Sequence, residues 1–134
     1  MRFFFDKNLS PYLAKAVAAL CEPHTIEVIH IDEKFPNNPP DAEWIAALAA
    51  EGNWVIISQD RFAKNSRERE ALKSTGIVTL ILTKQWAHQR EWDKAWLLVR
   101  WWPRLMEFAS LVGSGAYLVP VRLSGKGKLE PVAL

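Results

Sequence analysis

Two short apolar runs in this chain are each followed closely by an aspartate. Residues 3–5 directly precede Asp6, and residues 55–58 stand just before Asp60. Continuous apolar runs of this length are typical of buried strands in a parallel sheet. Open α/β sheets bind ligands and metals beyond the carboxyl ends of their strands. The two runs therefore predict an α/β fold with acids gathered at one edge of the sheet.

Length and composition fit one compact domain. The chain has 134 residues, 49% of them hydrophobic, and a net charge of +2. Residues 1–84 carry 10 basic and 11 acidic groups, whereas residues 85–134 carry 7 and 4. The basic excess thus lies in residues 85–134, away from the predicted acidic edge. We expect this basic part of the chain to form a surface that holds substrate. No linker divides the chain, so we expect a single domain over residues 1–134, with the acidic core in 1–84 and an extension in 85–134.

The chain offers no sign of secretion or membrane insertion. Its one cysteine, Cys21, cannot form an intramolecular disulfide and is predicted to be a buried thiol. No apolar run reaches the roughly 20 residues that span a bilayer. A signal-peptide pattern is also missing at the amino terminus. We therefore expect a cytoplasmic protein.

Strand and helix patterns alternate over residues 1–84, which predicts a mainly parallel sheet with crossover helices. The predicted strands are 2–5, 25–31, 54–58 and 77–82. The predicted helices are 11–21, 41–51 and a helix capped by Asn65 that ends before Gly76. Residues 34–40, rich in proline and asparagine, predict irregular structure.

Capping residues support these helices. Ser10 is predicted to be an N-cap and is followed by Pro11 at the first helical position. Asp41 is predicted to be the N-cap of the next helix, which Gly52 ends.

The last third of the chain follows a different pattern. Residues 85–111 are helical in periodicity, and Pro103 is expected to kink the helix or divide it in two. Residues 116–123 and 129–132 flank a glycine-rich turn at 124–127. They predict a terminal hairpin, or a last strand followed by a tail.

Five of the seven tryptophans fall within residues 86–102. Trp92, Trp96 and Val99 recur at spacings of four and three, so they are predicted to form a buried helical stripe. Trp101 and Trp102 break that stripe, and we expect one of them to lie partly exposed at a protein interface.

The acids predict a metal site. Asp6 and Asp60 both follow apolar strands, and Asp41 and Glu43 open a helix between them. Each aspartate also has an ordinary alternative as a turn or cap residue. Burying like charges together is costly unless a cation neutralises them, so we interpret Asp6, Asp60 and either Asp41 or Glu43 as ligands of Mg²⁺.

Three polar neighbours extend this prediction. Ser58 lies two residues before Asp60 and shares its side of an extended strand, where it can orient the carboxylate. Asn8 is a candidate to contact the metal cluster through a water, with a turn role as the alternative. Lys64 is a candidate to neutralise a phosphate, with a solvated surface role as the alternative.

The order of these motifs resembles the PIN-like domains of VapC-type toxins from bacterial toxin–antitoxin pairs. The resemblance covers residues 1–84 and rests on three segments, residues 3–11, 41–45 and 56–62. It implies a PIN-like three-layer α/β/α fold and a magnesium- or manganese-dependent endoribonuclease. It also implies an RNA substrate and a cognate antitoxin encoded by a neighbouring gene. By position, Asp6, Asp60 and Asp41 or Glu43 match the family's acids, and a homodimer stays open.

Two other classes of protein remain as alternatives. A catalytically inactive PIN-like binding module is supported by Lys7, which stands where relatives often have an acid, and by the absence of an acid between Asp60 and Glu68. A receiver-type signalling domain also places acids at strand ends, with Thr83 and a following lysine in a comparable place. Receivers, however, need paired acids after the first strand, and this chain offers only Asp6 there.

Overall fold

The computed structural model describes residues 1–59, 66–123 and 129–134. Its strands are β1 (Arg2–Phe5), β2 (Glu27–His30), β3 (Trp54–Ser58), β4 (Thr79–Leu82), β5 (Ala116–Val119) and β6 (Glu130–Val132). They form one sheet in the order β2-β1-β3-β4-β5-β6, in which only the β5–β6 pair is antiparallel. The strand order reverses between β1 and β3. In open α/β sheets, this switch point opens a crevice at the carboxyl ends of the strands.

Helices cover both faces of the sheet. They are α1 (Pro11–Cys21), α2 (Ile31–Lys34), α3 (Asp41–Glu51), α4 (Ser66–Thr75), α5 (Lys84–Ala87) and α6 (Glu91–Leu111). Phe3 and Phe5 belong to the core under α1 and α6, whereas Phe4 belongs to the core under α3 and α4. Side chains alternate across the sheet in this way because a strand repeats every two residues. The predicted three-layer α/β/α architecture is confirmed.

The second strand is shorter than predicted. It ends at His30, and Ile31 begins the short helix α2, which also includes Lys34 from the segment predicted to be irregular. His30 causes this change of structure, because its Nδ1 accepts a hydrogen bond of 3.1 Å from the backbone N–H of Asp32. The side chain therefore caps the helix that follows it. The fourth strand is also shorter, since it begins at Thr79.

The capping predictions are partly confirmed. Ser10 is the N-cap of α1, and its hydroxyl accepts a 3.1 Å hydrogen bond from the N–H of Tyr12. Gly52 ends α3 with a φ of 77°, a conformation that favours glycine. The prediction of Asp41 as an N-cap is wrong, because Pro40 takes that position and Asp41 is the first residue of the helix. The predicted cap Asn65 lies outside the described residues.

A single helix contains Pro103, so the prediction that this proline divides the segment in two is wrong. Proline displaces the carbonyl four residues earlier, which here belongs to Val99. Because Val99 is exposed, water can satisfy that carbonyl, and the helix continues to Leu111.

The tryptophan predictions for α6 are wrong in both directions. Trp92 and Trp96 are 88% and 59% exposed, whereas Trp101 and Trp102 are buried. The face of α6 that meets the sheet is set by the spacing of its buried residues, which are Leu98, Trp101, Trp102, Leu105 and Ala109. At 100° per residue, the stripe through Trp92 and Trp96 points away from that face.

Trp102 links α6 to α1 through Cys21. Its Nε1–H lies 3.1 Å from the sulfur, and its ring packs on Phe3 with centroids 4.7 Å apart. Burial raises the pKa of the Cys21 thiol, and the Trp102 hydrogen bond opposes this only in part. A thiol with a raised pKa is a poor nucleophile. The prediction that Cys21 is a buried thiol is confirmed.

The chain ends in the predicted hairpin. β5 and β6 pair in antiparallel register, with Ala116 opposite Val132 and Leu118 opposite Glu130. The predicted turn residues 124–127 lie outside the described part of the chain.

Candidate functional site

Asp6 stands at the carboxyl end of β1, beside the switch point. It is 4% exposed, and its backbone N–H donates to the carbonyl of Ile57 at 3.0 Å. The N–H of Lys7 donates to Oδ1 at 2.6 Å, and the hydroxyl of Ser58 donates to Oδ2 at 3.0 Å. Hydrogen bonds to a carboxylate favour its charged form. The structure thus brings together two of the predicted residues, Asp6 and Ser58, and fixes the orientation of the carboxylate.

A buried histidine holds the turn after Asp6 in place. The N–H of Leu9 donates to the carbonyl of Asp6 at 3.1 Å, and Nε2 of His30 lies 2.7 Å from the carbonyl of Leu9. Because Nδ1 of His30 accepts from the N–H of Asp32, Nε2 is assigned the proton and donates to Leu9. Sequence reasoning missed His30. Its signal was a polar residue at the end of a β-branched run.

Asp41, one of the two alternative acids of the second helix, lies above β1 on the same face of the sheet as Asp6. Oδ1 of Asp41 accepts a 2.9 Å hydrogen bond from Nε1 of Trp44. The indole of Trp44 stacks on Phe4, two residues before Asp6, with ring centroids 5.0 Å apart. Glu43 is exposed. Of the two alternative ligands, Asp41 therefore has the more fixed position.

Asp41 has a structural role that can be measured. In Asp41→Ala, the buried Trp44 N–H loses its acceptor, and we expect the free energy of unfolding to fall by about 1–3 kcal/mol. Asp41→Asn keeps an acceptor oxygen, so we expect a smaller loss. The matched control is Glu43→Ala, an exposed acid of the same helical turn, with a change within about 0.5 kcal/mol. Equal unfolding midpoints in denaturant for Asp41→Ala and Glu43→Ala would contradict this role.

Two loops meet at this edge through Lys7. Its Nζ donates to Oδ1 of Asn38 at 3.0 Å, which ties the loop after β1 to the loop before α3. Asn8, predicted to contact the metal cluster, is exposed. Asp60 and Lys64 lie outside the described residues, so their roles stay predictions.

A further buried acid lies on α4. Glu68 is 2% exposed and precedes Leu72 by four residues, so both lie on one face of the helix. Leu72 packs in the core that contains Phe4 and Ile56, on the sheet face shared by Asp6 and Ser58. Because α4 follows β3, its first turn lies at the carboxyl edge of the sheet. Glu68 is thus a buried acid in the helical turn nearest that edge, whereas sequence reasoning could only assign it to a helix.

Helix α6 brings a cation to the same edge. Nζ of Lys94 donates to Oε1 of Gln59 at 3.3 Å, and Gln59 directly follows Ser58. A basic side chain beside an acidic site can contact a phosphate that the site holds. Lys94 thus brings a positive charge from the second half of the chain to the acidic edge that the first half forms.

A match to a family model shows which family this chain belongs to. The model described as "PIN like domain" matches residues 1–84, which contain β1 to β4 and α1 to α4. The chain belongs to the PIN-like domain family. No curated protein and no solved structure gives a significant match. The match to the family model favours the predicted PIN-like interpretation over the receiver-type one.

The carboxylate oxygens of this PIN-like domain are the type of ligand atom that binds a hard cation such as Mg²⁺. Asp6 offers a buried carboxylate that is oriented by the N–H of Lys7 at Oδ1 and by the hydroxyl of Ser58 at Oδ2. Within residues 1–59, 66–123 and 129–134, no three acidic, histidine or cysteine side chains are close enough to hold one ion. The predicted ligand Asp60 lies outside those ranges, so its place in a ligand set stays a prediction. Among the helices of the same ranges, none has the length and apolar composition to cross a bilayer.

Proposed function

We propose that this PIN-like domain is a metal-dependent endoribonuclease that hydrolyses RNA phosphodiester bonds. The observation that carries the proposal is Asp6, a buried carboxylate oriented by two donors at the switch point of the sheet. Nuclease chemistry is typical of PIN-like folds, and it needs carboxylates held rigidly at this edge. The contacts of Ser58 and His30 supply that rigidity.

In this proposal, Asp6, Asp60 and Asp41 or Glu43 would hold Mg²⁺ or Mn²⁺. When bound, the metal would lower the pKa of a water and stabilise the negative charge that builds on the phosphate. The residues of the chain fix the geometry. Ser58 and the N–H of Lys7 hold the Asp6 carboxylate in one orientation, so no reorganisation is needed when substrate binds.

Cationic side chains at the edge would hold the RNA backbone. Lys94 lies beside Gln59, and Lys64 is the predicted phosphate contact. Contacts of this kind position the substrate and weaken as salt rises. Glu68 is a further acid that we propose acts near the metal, on the basis of its burial and its place on α4.

We propose further that the enzyme is the toxin of a type II toxin–antitoxin pair. A ribonuclease inside the cell that makes it must be restrained, and an antitoxin encoded by a neighbouring gene would supply that restraint. The exposed indoles of Trp92 and Trp96 on α6 support a protein partner, because exposed aromatic side chains mark interaction surfaces. The guanidinium carbon of Arg100 also lies 5.4 Å from the centroid of the Trp96 ring. Its positive charge would pair with an acidic segment of the partner.

A cleavage assay with and without EDTA tests the proposal. Purified protein is expected to cut single-stranded RNA in Mg²⁺ or Mn²⁺ and to stop when the metal is chelated. The same ions are expected to raise the melting temperature, because a ligand of the native state at 100 times its Kd adds about 2.7 kcal/mol of stability. Cleavage that is unchanged in EDTA would contradict the metal role. A missing shift together with missing cleavage would favour the inactive binding module.

The same assay identifies the second acid. If Asp41 is a ligand, Asp41→Asn lowers cleavage strongly and Glu43→Gln does not. The reverse result assigns the role to Glu43. Glu68→Gln, run in parallel, tests the buried acid of α4.

A further inference from the structure

A cavity of about 370 Å³ lies beside α4 on the sheet face that carries Asp6. Its walls are mainly aliphatic side chains from β4, β5 and the end of the chain. Two polar side chains, Arg69 and Thr83, complete the lining. A site with apolar walls and a small number of polar groups is typical of small-ligand pockets. The apolar lining includes Ile81, Leu82, Leu118, Val132 and Leu134.

Within the described part of the chain, the buried hydroxyl of Thr83 has no hydrogen-bond partner. Among residues 1–59, 66–123 and 129–134, Oγ1 of Thr83 is the one buried side-chain nitrogen or oxygen in that condition. The backbone of Thr83 is fixed, because its N–H donates to Val119 at 3.1 Å and its carbonyl accepts from Trp86 at 3.0 Å. A buried hydroxyl without a partner costs stability. Thr83 also lines the cavity, so a ligand there could supply the missing partner.

The cavity is close to the proposed active site. Asp6 is level with Ser58 across the sheet, and Ser58 pairs with Ile81 of β4. Two strand spacings of roughly 4.8 Å separate β1 from β4, so the cavity begins about 10 Å from Asp6. Thr83 follows Ile81 by two residues in extended backbone, which places both side chains on the face of Asp6. A nucleotide whose phosphate is held beside Asp6 across a metal could therefore extend its base past the mouth of the cavity.

We propose that this cavity binds the base of the nucleotide next to the cleaved phosphodiester. The inference rests on the proposed ribonuclease function and names where its substrate is held. The aliphatic walls would pack against the faces of the base, and the Thr83 hydroxyl would form a hydrogen bond with its edge. Arg69 is partly exposed, and one of its nitrogens contacts the carbonyl of Ala133 at 3.5 Å. Its remaining N–H groups can pair with the sugar or phosphate.

A base fits this cavity better than a peptide or a bare anion does. One hydroxyl cannot satisfy the backbone groups of a peptide, each residue of which brings a donor and an acceptor. A bare anion would leave the aliphatic walls unused. A base has two apolar faces and a polar edge, which is the distribution that the lining offers.

Nucleotide titrations in EDTA test the pocket. Adenosine and uridine 5′-monophosphates, with ribose 5-phosphate as the probe without a base, are titrated by calorimetry into the wild-type chain and its variants. In Thr83→Val, nucleotide affinity is expected to fall about five- to tenfold, the effect of one hydrogen bond. The melting temperature of the free protein is expected to stay the same or rise, because the variant removes an unpartnered hydroxyl.

The matched control is Thr79→Val, on the same strand and the same face. The hydroxyl of Thr79 is buried and donates to the carbonyl of Ile77 at 3.2 Å. This variant is expected to lower the melting temperature and to leave nucleotide affinity unchanged. Ala133→Trp gives a second test, since Ala133 is exposed beside the cavity and a larger side chain there would block it without disturbing the core. We expect this variant to lose nucleotide binding.

Three outcomes would overturn the base pocket. They are no nucleotide binding to the wild-type chain, equal affinity for ribose 5-phosphate, and a Thr83→Val variant that melts lower yet binds nucleotides normally. The RNA cleavage assay keeps the two proposals apart. Metal-dependent cleavage without nucleotide binding overturns the pocket alone, whereas binding that depends on Thr83 without cleavage overturns the ribonuclease.

Discussion

Asp6→Asn is expected to lower RNA cleavage by more than about 100-fold while the protein stays folded. The change removes the charge that would hold the metal. The contacts of the side chain survive, because the amide oxygen can accept from Lys7 and the Ser58 hydroxyl can rotate to accept from the amide nitrogen. Cleavage of a labelled RNA and thermal unfolding, measured on the same preparation, check both halves of this expectation.

Ser58→Ala is the matched control for this result. It keeps the Asp6 charge and removes one hydrogen bond that orients it, so we expect a loss of about 10- to 100-fold, as for residues that position a metal ligand. Full cleavage by Asp6→Asn would contradict a catalytic role for the acidic edge.

The same substitution tests the toxin proposal in cells. Wild-type protein is expected to slow growth when expressed alone, and co-expression of the neighbouring gene is expected to restore it. Asp6→Asn should not slow growth. Equal growth with the wild-type and Asp6→Asn proteins would argue against toxicity, even if the purified enzyme cuts RNA.

Trp101→Ala is expected to reduce the free energy of unfolding by about 3–5 kcal/mol, the usual cost of truncating a buried aromatic residue. Trp101 is 2% exposed, and its Nε1–H donates to the carbonyl of Val121 at 3.2 Å. The substitution therefore leaves both a cavity and a carbonyl that has lost its donor. Denaturant unfolding measures the loss.

Trp96→Ala on the same helix is the control, with a change expected within about 0.5 kcal/mol because the side chain is 59% exposed. A larger loss in Trp96→Ala than in Trp101→Ala would contradict this expectation and favour the sequence-based prediction that Trp96 is the buried residue. A loss confined to Trp101→Ala would leave Trp96 free for a partner.

The strands and the first acid were predictable because their signals are local. Phe3 to Phe5 form a continuous apolar run, and Asp6 follows at once. The register of neighbouring strands then brings Ser58 to Asp6, whereas the sequence had suggested Asp60 as the carboxylate that Ser58 orients. Single-residue boundaries were less predictable. Pro40, not Asp41, caps α3, because proline lies in the extended backbone that an N-cap position adopts.

The orientation of α6 was not predictable from periodicity. The helix carries two apolar stripes, one through Trp92, Trp96 and Val99 and one through Leu98, Trp101, Trp102 and Leu105. Both recur at spacings of three and four residues, so packing against the sheet decides which stripe is buried. For the same reason, the nearness of Lys94 to Gln59 could not be read from residues 35 positions apart.

Pro131 has a consequence for how this molecule meets others. It lies in β6, the outermost strand on that side of the sheet, opposite Tyr117 of β5. Proline has no N–H, so at this position β6 cannot donate to a further strand. Natural sheets use proline on an outer strand to prevent sheets from joining edge to edge. We therefore expect binding partners to use the helical layers and to avoid strand addition at β6.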